Sequence, residues 1–224
     1  MANVAVLVDI GVNQEGFREI LGVTEGAKED KASWEGFLRH LLCRGLSGVK
    51  LMISDKCLGL VESLGGNFPE AKWQRCAVHF YRNVFTMVPK GRVREVAATL
   101  KAIHAQERAR EALEKAYAVA QKLKDMKLAK AGDIVREGAQ ETFGFYAFPR
   151  EHWRLLWTNN PMGRVMREVR RRTRVVGAFP DGHSALMLVA ARLRHVASTA
   201  WGSRRYMDMK RLAEQVIEVS EVSS

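Results

Sequence analysis

Three groups of residues in this 224-residue chain have side chains and spacings suited to chemistry. The first is a single carboxylate. The apolar run Val49-Lys50-Leu51-Met52-Ile53 ends at Ser54-Asp55, so Asp55 falls at the carboxyl end of an expected strand, where open α/β sheets place ligands and catalytic groups. Two readings stand there: a divalent-metal ligand, or an N-cap for the helix expected to start near Leu58. The second group is Cys76 and His79, a Cys-x2-His pair. Such a pair begins a zinc site only when a second pair follows at suitable distance, and none does. The two side chains still fall within one helical turn, beside a functional site or inside a packed interior. Arg75, Arg82, Lys90, Arg92 and Arg94 flank them with aromatic residues in between, a mixture that suits nucleic acid and also occurs on amphipathic helices. The third and strongest group runs from Asn159 to Arg174. Asn160 followed by Pro161 starts a helix, because the first helical position has no use for an N–H. On that helix Arg164, Arg167, Arg171 and Arg174 recur at i, i+3, i+7 and i+10 and share a face, with Arg170 and Arg172 beside them. Guanidiniums crowded this densely, with Glu168 as the one nearby acid, repel one another unless anions intervene. Phosphate oxygens accept their paired N–H groups bidentately. A merely solvated helix face is the alternative.

The whole chain leans the same way. It carries 36 Lys and Arg against 25 Asp and Glu, a formal net charge of +11, and unpaired charge of this size belongs on the surface. A polyanionic partner is the natural expectation. The first residues lack a basic leader, and Asp9 interrupts their apolar run, so they do not read as a secretory signal. No apolar segment approaches the length of a membrane span. Cys43, Cys57 and Cys76 are odd in number and lack framework spacing, which suits a reducing compartment and a cytoplasmic protein with access to DNA.

Elements able to hold these residues follow from the periodicities. Val4 to Val12 and Phe17 to Val23 read as a hairpin around the turn residues Asn13-Gln14-Glu15-Gly16. From Glu29, apolar residues at Trp34, Phe37, Leu38, Leu41 and Leu42 predict an amphipathic helix that Gly45 ends. A short strand over Val49 to Ile53 and a short helix over Leu58 to Leu64 follow, a strand-helix-strand order that indicates α/β. Arg92 to about Gln140 is a helical block interrupted at Gly132, and aromatic residues cluster from Phe143 to Trp157. Two more helices are expected over Pro161 to Arg172 and His183 to Trp201, then a helical tail in the last twenty residues.

The residues also resemble a known family, the Mutator-type transposases of bacterial insertion sequences. The resemblance runs in order through Gly16-Phe17-Arg18-Glu19-Ile20-Leu21-Gly22, Ser54-Asp55, Trp73-Gln74-Arg75-Cys76 with His79 and Arg82-Asn83, and Val88-Pro89-Lys90. It continues through the segment from Thr158-Asn159 to Arg174, Val175 to Pro180, and Arg205-Tyr206-Met207. It implies an RNase H-like α/β core with an all-helical insertion. Residues 1–90 would be the front of that core, 91–145 the insertion, and 146–224 its rear helical part and tail. It further implies a DNA-cleaving and strand-transferring enzyme with an Asp-Asp-Glu triad holding Mg²⁺ or Mn²⁺ for in-line phosphoryl transfer. Insertion-sequence ends and target DNA would be its substrates, a homo-oligomer its assembly, and the bacterial nucleoid its place.

In that pattern Asp55 matches the second Asp and is the metal ligand. Cys76 and His79 belong to a family motif, and Arg75, Arg82, Asn159, Arg164, Arg167, Arg170, Arg171, Arg172 and Arg174 face DNA. Two positions depart from it. The first Asp is expected on a strand before the hairpin, which these residues do not include, and Asp9 stands where a small apolar residue is usual. The Glu is expected at position 163, which is Gly163, and Met166 replaces a polar residue. Glu168 lies five residues on, about 140° round the helix, and does not substitute. The expectation is therefore a truncated, catalytically defective copy. The alternative is a non-catalytic DNA-binding or dimerising remnant that modulates an intact transposase. An unrelated RNA-binding module would need a motif that is absent.

Overall fold

The structure, a computed structural model, describes residues 5–26 and 30–214. Val4 and Glu29, expected to open a strand and a helix, lie outside the described residues, as does the tail beyond residue 214. In chain order the first elements are β1 (Ala5–Val12), β2 (Arg18–Gly26), α1 (Lys31–Cys43), β3 (Leu51–Ser54), α2 (Leu58–Asn67), β4 (Lys72–Arg75) and α3 (Ala77–Phe85). There follow α4 (Val93–His104), α5 (Ala109–Asp125), α6 (Ala129–Gly138), α7 (Trp153–Leu156), α8 (Asn160–Val176), α9 (Gly182–Ala197) and α10 (Ala200–Ser203), with short 3₁₀ turns between some of them. The protein is thus mixed α/β with helix predominating.

The chain packs as two compact units. One comprises the described residues within Met1–Lys50, Lys56–Ala71 and Asn159–Ser224, the other Leu51–Asp55 and Lys72–Thr158. This division cuts across the three consecutive segments expected from sequence, because β3 and β4 belong to the unit of the helical block.

In the first unit β1 and β2 form an antiparallel hairpin with a register shift between Asp9 and Ile10. Asn13 shapes its turn: the side-chain oxygen accepts from the N–H groups of Glu15 and Phe17 at 3.1 and 2.9 Å. Helix α1 begins at Asp30, whose carboxylate accepts from Ser33 N–H at 3.0 Å, an ordinary N-cap. Its buried stripe is Phe37, Leu38 and Leu41, three of the residues whose spacing predicts the helix. A second core gathers Val8 of the hairpin, Val165 and Val169 of α8, and Val189, Leu193 and Val196 of α9. Helix α2 runs from Leu58 to Asn67 and so extends past the expected end at Leu64. It lies so close to the start of α1 that a Cβ on Gly59 would sit 2.6 Å from the Asp30 carbonyl carbon and 2.7 Å from Lys31 N.

In the second unit β3 and β4 pair in parallel, Leu51 with Lys72 through Ser54 with Arg75. Strand β4 has no counterpart in the sequence reading, since Lys-Trp-Gln-Arg shows no apolar alternation. The helical block is three helices, and its bends lie at 105–108 and 126–128, where Lys127 takes a positive φ of 61°. Gly132 is not an interruption. It lies inside α6, where a Cβ would come 2.7 Å from the Ala120 carbonyl oxygen of α5, so the glycine permits close helix packing. The core joins Phe80 and Val84 of α3 to Val96, Leu100 and Ile103 of α4 and to the small residues Ala112, Ala116 and Ala120 of α5. His104 is bound on both ring nitrogens, to Tyr81 Oη at 2.7 Å and Thr142 Oγ1 at 2.8 Å. Burial pushes its pKa down to about 4, so the ring is neutral.

Two outcomes follow. Gly59→Ala gains about 1 kcal/mol of helix propensity but drives a methyl into rigid backbone, and overpacking of that kind costs about 1–3 kcal/mol. Denaturant unfolding is expected to show a net loss. For His104 the unfolded ring titrates near 6.5 and the folded one near 4, so the unfolded state binds more protons between those values. Stability is full above pH 6.5 and falls by at most ~3 kcal/mol as pH drops to 4. His104→Gln is expected to flatten that part of the stability profile.

Candidate functional site

Asp55 is placed by its neighbours' backbone. It directly follows β3, and the strand end is tied down by three bonds. Cys76 N–H donates to the Ser54 carbonyl at 2.7 Å, Trp73 Nε1 donates to Ser54 Oγ at 2.9 Å, and Ser54 Oγ donates to the Asp55 carbonyl at 2.6 Å. The Asp55 side chain is exposed. It does not cap α2, because the N-cap position is Cys57, which makes no side-chain cap bond. The capping reading of Asp55 is therefore corrected: two residues too many separate it from the helix.

Cys76 and His79 are brought together, as one helical turn requires. Cys76 is the N-cap of α3 and is buried, and His79 lies in the first turn. Its hydrogen bond with Cys76 raises the His79 pKa above the ordinary value, Asp55 adds to the rise through its charge, and burial and Arg82 oppose it. Arg82 is exposed. Arg75 is a different case. Its side chain is 9 % exposed, Nη1 pairs with Glu141 Oε2 at 3.2 Å, and the guanidinium lies 5.4 Å from the Phe80 ring centroid. The expected DNA-facing role for Arg75 is corrected accordingly: the side chain is an internal strut, since β4 turns it toward α3 and the turn bearing Glu141.

In the other unit, α8 carries the arginines. Its apolar stripe is Met162, Val165, Met166 and Val169, at i, i+3, i+4 and i+7. With 100° per residue, Arg164, Arg167, Arg171 and Arg174 centre about 170° from that stripe. All four are exposed, as are Arg170 and Arg172. Asn159 is the N-cap residue, though its side chain makes no cap bond. Gly163 lies about 40° from Arg167 on the same side, and a Cβ there would meet nothing within 4 Å. Glu168 is committed elsewhere. Its carboxylate accepts from Arg192 of α9 at 2.6 Å and from Arg171 at 3.1 Å, and Arg192 first, then Arg171, hold its pKa below the usual range. Arg171 is thus partly engaged by an internal carboxylate, which the spacing did not reveal.

The donor set does not fit a two-metal centre. Among the described residues no three side chains of His, Cys, Asp or Glu type converge as a metal requires. Mg²⁺ keeps several waters and takes one or two protein carboxylates per ion, so a pair of ions asks for more than the one exposed carboxylate that Asp55 brings. Burial pushes the pKa of Asp9, on the hairpin of the other unit, up to about 6.

Comparison with known proteins places the chain in a family. The family profile described as "Transposase, Mutator family" matches residues 1–202. The chain is 40 % identical over 210 residues to the transposase for insertion sequence element IS1081 of Mycobacterium tuberculosis, covering 94 % of this chain and 50 % of that protein. It is 35 % identical over 210 residues to the ISRM5 transposase of Rhizobium meliloti, covering 94 % and 52 %. The IS256 transposase of transposon Tn4001 in Staphylococcus aureus is 34 % identical over 205 residues, covering 90 % and 52 %. The chain spans about half the length of the curated relatives it matches. Among the described residues no helix is long and apolar enough to cross a membrane.

Cys76→Ala removes the hydrogen bond that raises the His79 pKa. The titration midpoint of His79, followed by its ring proton resonances, is expected to fall in that variant. An unchanged midpoint would show that the pair is not coupled.

Proposed function

The chain belongs to the Mutator family of transposases, and from that membership we propose that it engages DNA through α8 and serves the transposition of an insertion sequence. One observation carries the reading. A single helix is anchored by an apolar stripe and turns four exposed arginines, at positions 164, 167, 171 and 174, away from it, with the exposed Arg170 and Arg172 on its flanks. Exposed guanidiniums gain little from water-separated neighbours and much from phosphate forks. The family resemblance supports an RNase H-like classification, with α4 to α6 as the all-helical insertion. It also supports DNA cleavage and strand transfer as the family chemistry, Mg²⁺ as its metal, insertion-sequence ends and target DNA as substrates, and a homo-oligomeric assembly.

These 224 residues serve the DNA-engaging part of that activity and are deficient in the metal-dependent part. In the pattern of the resemblance Asp55 stands at the position of the second acid and Gly163 at that of the third. A carboxylate at position 163 would meet open space beside the arginines, so its loss is a loss of chemistry and not of packing.

The test has two readouts. A labelled duplex carrying the ends of the coding element is expected to bind the chain and, with Mg²⁺, to remain uncut by it and by Gly163→Glu. Cleavage by the unaltered chain would overturn the deficiency. Replacing Arg164, Arg167 and Arg171 by Ala is expected to weaken binding and to reduce the slope of log affinity against log salt by about 2 to 3. Arg171, partly engaged by Glu168, contributes less than a full unit to that slope. An unchanged slope would remove α8 as the DNA face.

A further inference from the structure

The segment Val88-Pro89-Lys90 and the cations after it lead to a surface in the unit that does not contain α8. Val88 is buried, and Pro89 introduces a 3₁₀ turn, Lys90–Arg92, from which α4 starts. Arg92 is a strut. Its Nη1 donates to the Met126 carbonyl at the end of α5 at 2.9 Å, and its Nε and Nη2 reach Glu95 Oε2 at 3.4 Å. The first of these bonds fixes the start of α4 against the turn between α5 and α6. Lys90 and Arg94 stand two residues to either side of Arg92, and Lys127 directly follows Met126. Chain length alone therefore holds each of their Cα atoms within about 7 Å of that of Arg92 or Met126. Lys130 joins the group from the first turn of α6. All four side chains are exposed, and among the described residues none of them has an ion-pair partner.

Three of these cations stand where the local backbone disfavours them. Helix α5 ends in a Schellman motif: Lys127 N–H donates to the Lys124 carbonyl at 2.9 Å and Leu128 N–H to the Leu123 carbonyl at 2.8 Å, with Leu123 and Leu128 both in the core. The motif needs a left-handed residue just past the helix, a place glycine usually takes. Here it is Lys127, at a φ of 61°, the one non-glycine with positive φ among the described residues. Arg94 and Lys130 are the second residues of α4 and α6, beside the positive end of each helix dipole, where a cation is unfavourable. The first turn of α6 has no acid to offset Lys130. Nor does the end of α5 require these charges, since Arg92 already serves its carbonyl. Side chains kept against local preference at three separate positions mark a functional surface rather than ordinary solvated charge.

We propose that Lys90, Arg94, Lys127 and Lys130 form a second contact surface for the phosphate backbone of DNA, distinct from α8. The inference rests on the DNA reading above and extends it to the helical block. Cations on long flexible stems neutralise successive phosphates without reading bases, so the surface adds affinity and salt dependence and no sequence preference. The nearby acids are engaged elsewhere: Glu95 with Arg92, Asp133 with Lys124 at 2.7 Å, and Asp125 with Gln121 at 2.9 Å.

Binding of a labelled 30-base-pair duplex is measured by fluorescence anisotropy across a salt series, with thermal melting of every variant. Lys127→Gly relaxes the left-handed position, so it is expected to melt no lower than the parent. It is nevertheless expected to bind about two- to fivefold more weakly, with a salt slope smaller by about 1. Stability and affinity then move apart, which a merely structural lysine would not produce. Lys127→Arg keeps the charge and is expected to bind like the parent. Replacing Lys90, Arg94 and Lys130 together by Gln is expected to reduce the slope by about 2 to 3. Lys115→Gln is the control: it removes one exposed charge about 15 Å back along α5 from Asp125 and is expected to bind like the parent. A loss in Lys115→Gln equal to that in Lys127→Gly would reduce the effect to net charge and overturn the surface. Unchanged affinity and slope in Lys127→Gly and in the triple variant, beside a clear loss on replacing Arg167 and Arg171, would overturn it too and leave the DNA reading standing. Absence of duplex binding by the parent would overturn both.

Discussion

The apolar stripe of α8 is the constraint on which the functional surface depends. Met162, Val165, Met166 and Val169 have one way to leave water, which is against α9 and the hairpin core. Once they do, helical geometry leaves the arginines no inward choice. Burial of the two fully covered valines stabilises the unit by roughly 1.5–3 kcal/mol each, far more than exposed arginines lose by mutual repulsion in water. A dense cationic face is tolerated because it rides on a hydrophobic one. Glu168 relieves part of the strain by bridging Arg171 to Arg192 of α9, so the one acid of the helix serves the packing of α8 on its neighbour.

The region around Asp55 is governed by hydrogen bonds instead. The end of β3 is held by bonds from Trp73 and Cys76 to Ser54, and this holds the backbone at Asp55 in place. Neither the exposed carboxylate of Asp55 nor the open space beside Gly163 contributes packing to the fold. The Cys76–His79 pair is the more coupled feature. Its hydrogen bond makes His79 a better proton holder than a free imidazole, and Asp55 reinforces this through its charge.

Much of this was legible in the residues themselves. The hairpin, α1, α2, α8 and α9 follow from apolar period and turn chemistry, and α8 was readable because seventeen residues gave its pattern room to repeat. Strand β4 was not, since four mostly polar residues in a parallel pair carry no periodic signal. Gly132 misled for a related reason. Glycine marks a break or a close approach equally well, and only the neighbouring Ala120 carbonyl tells which one applies.

The sequence by itself determined the family, the net charge, the register of the arginines on one helical face, and the absence of a carboxylate at position 163. Those properties are local: they depend on residue identity and on spacing within one element. Only the tertiary structure decided that Arg75 is an internal strut paired with Glu141, that Glu168 belongs to Arg192, and that Arg18 stands between rings brought from the far end of the described chain. An arginine's role is set by what lies within a few ångströms of its guanidinium. Partners dozens to nearly two hundred residues away leave no trace in the spacing.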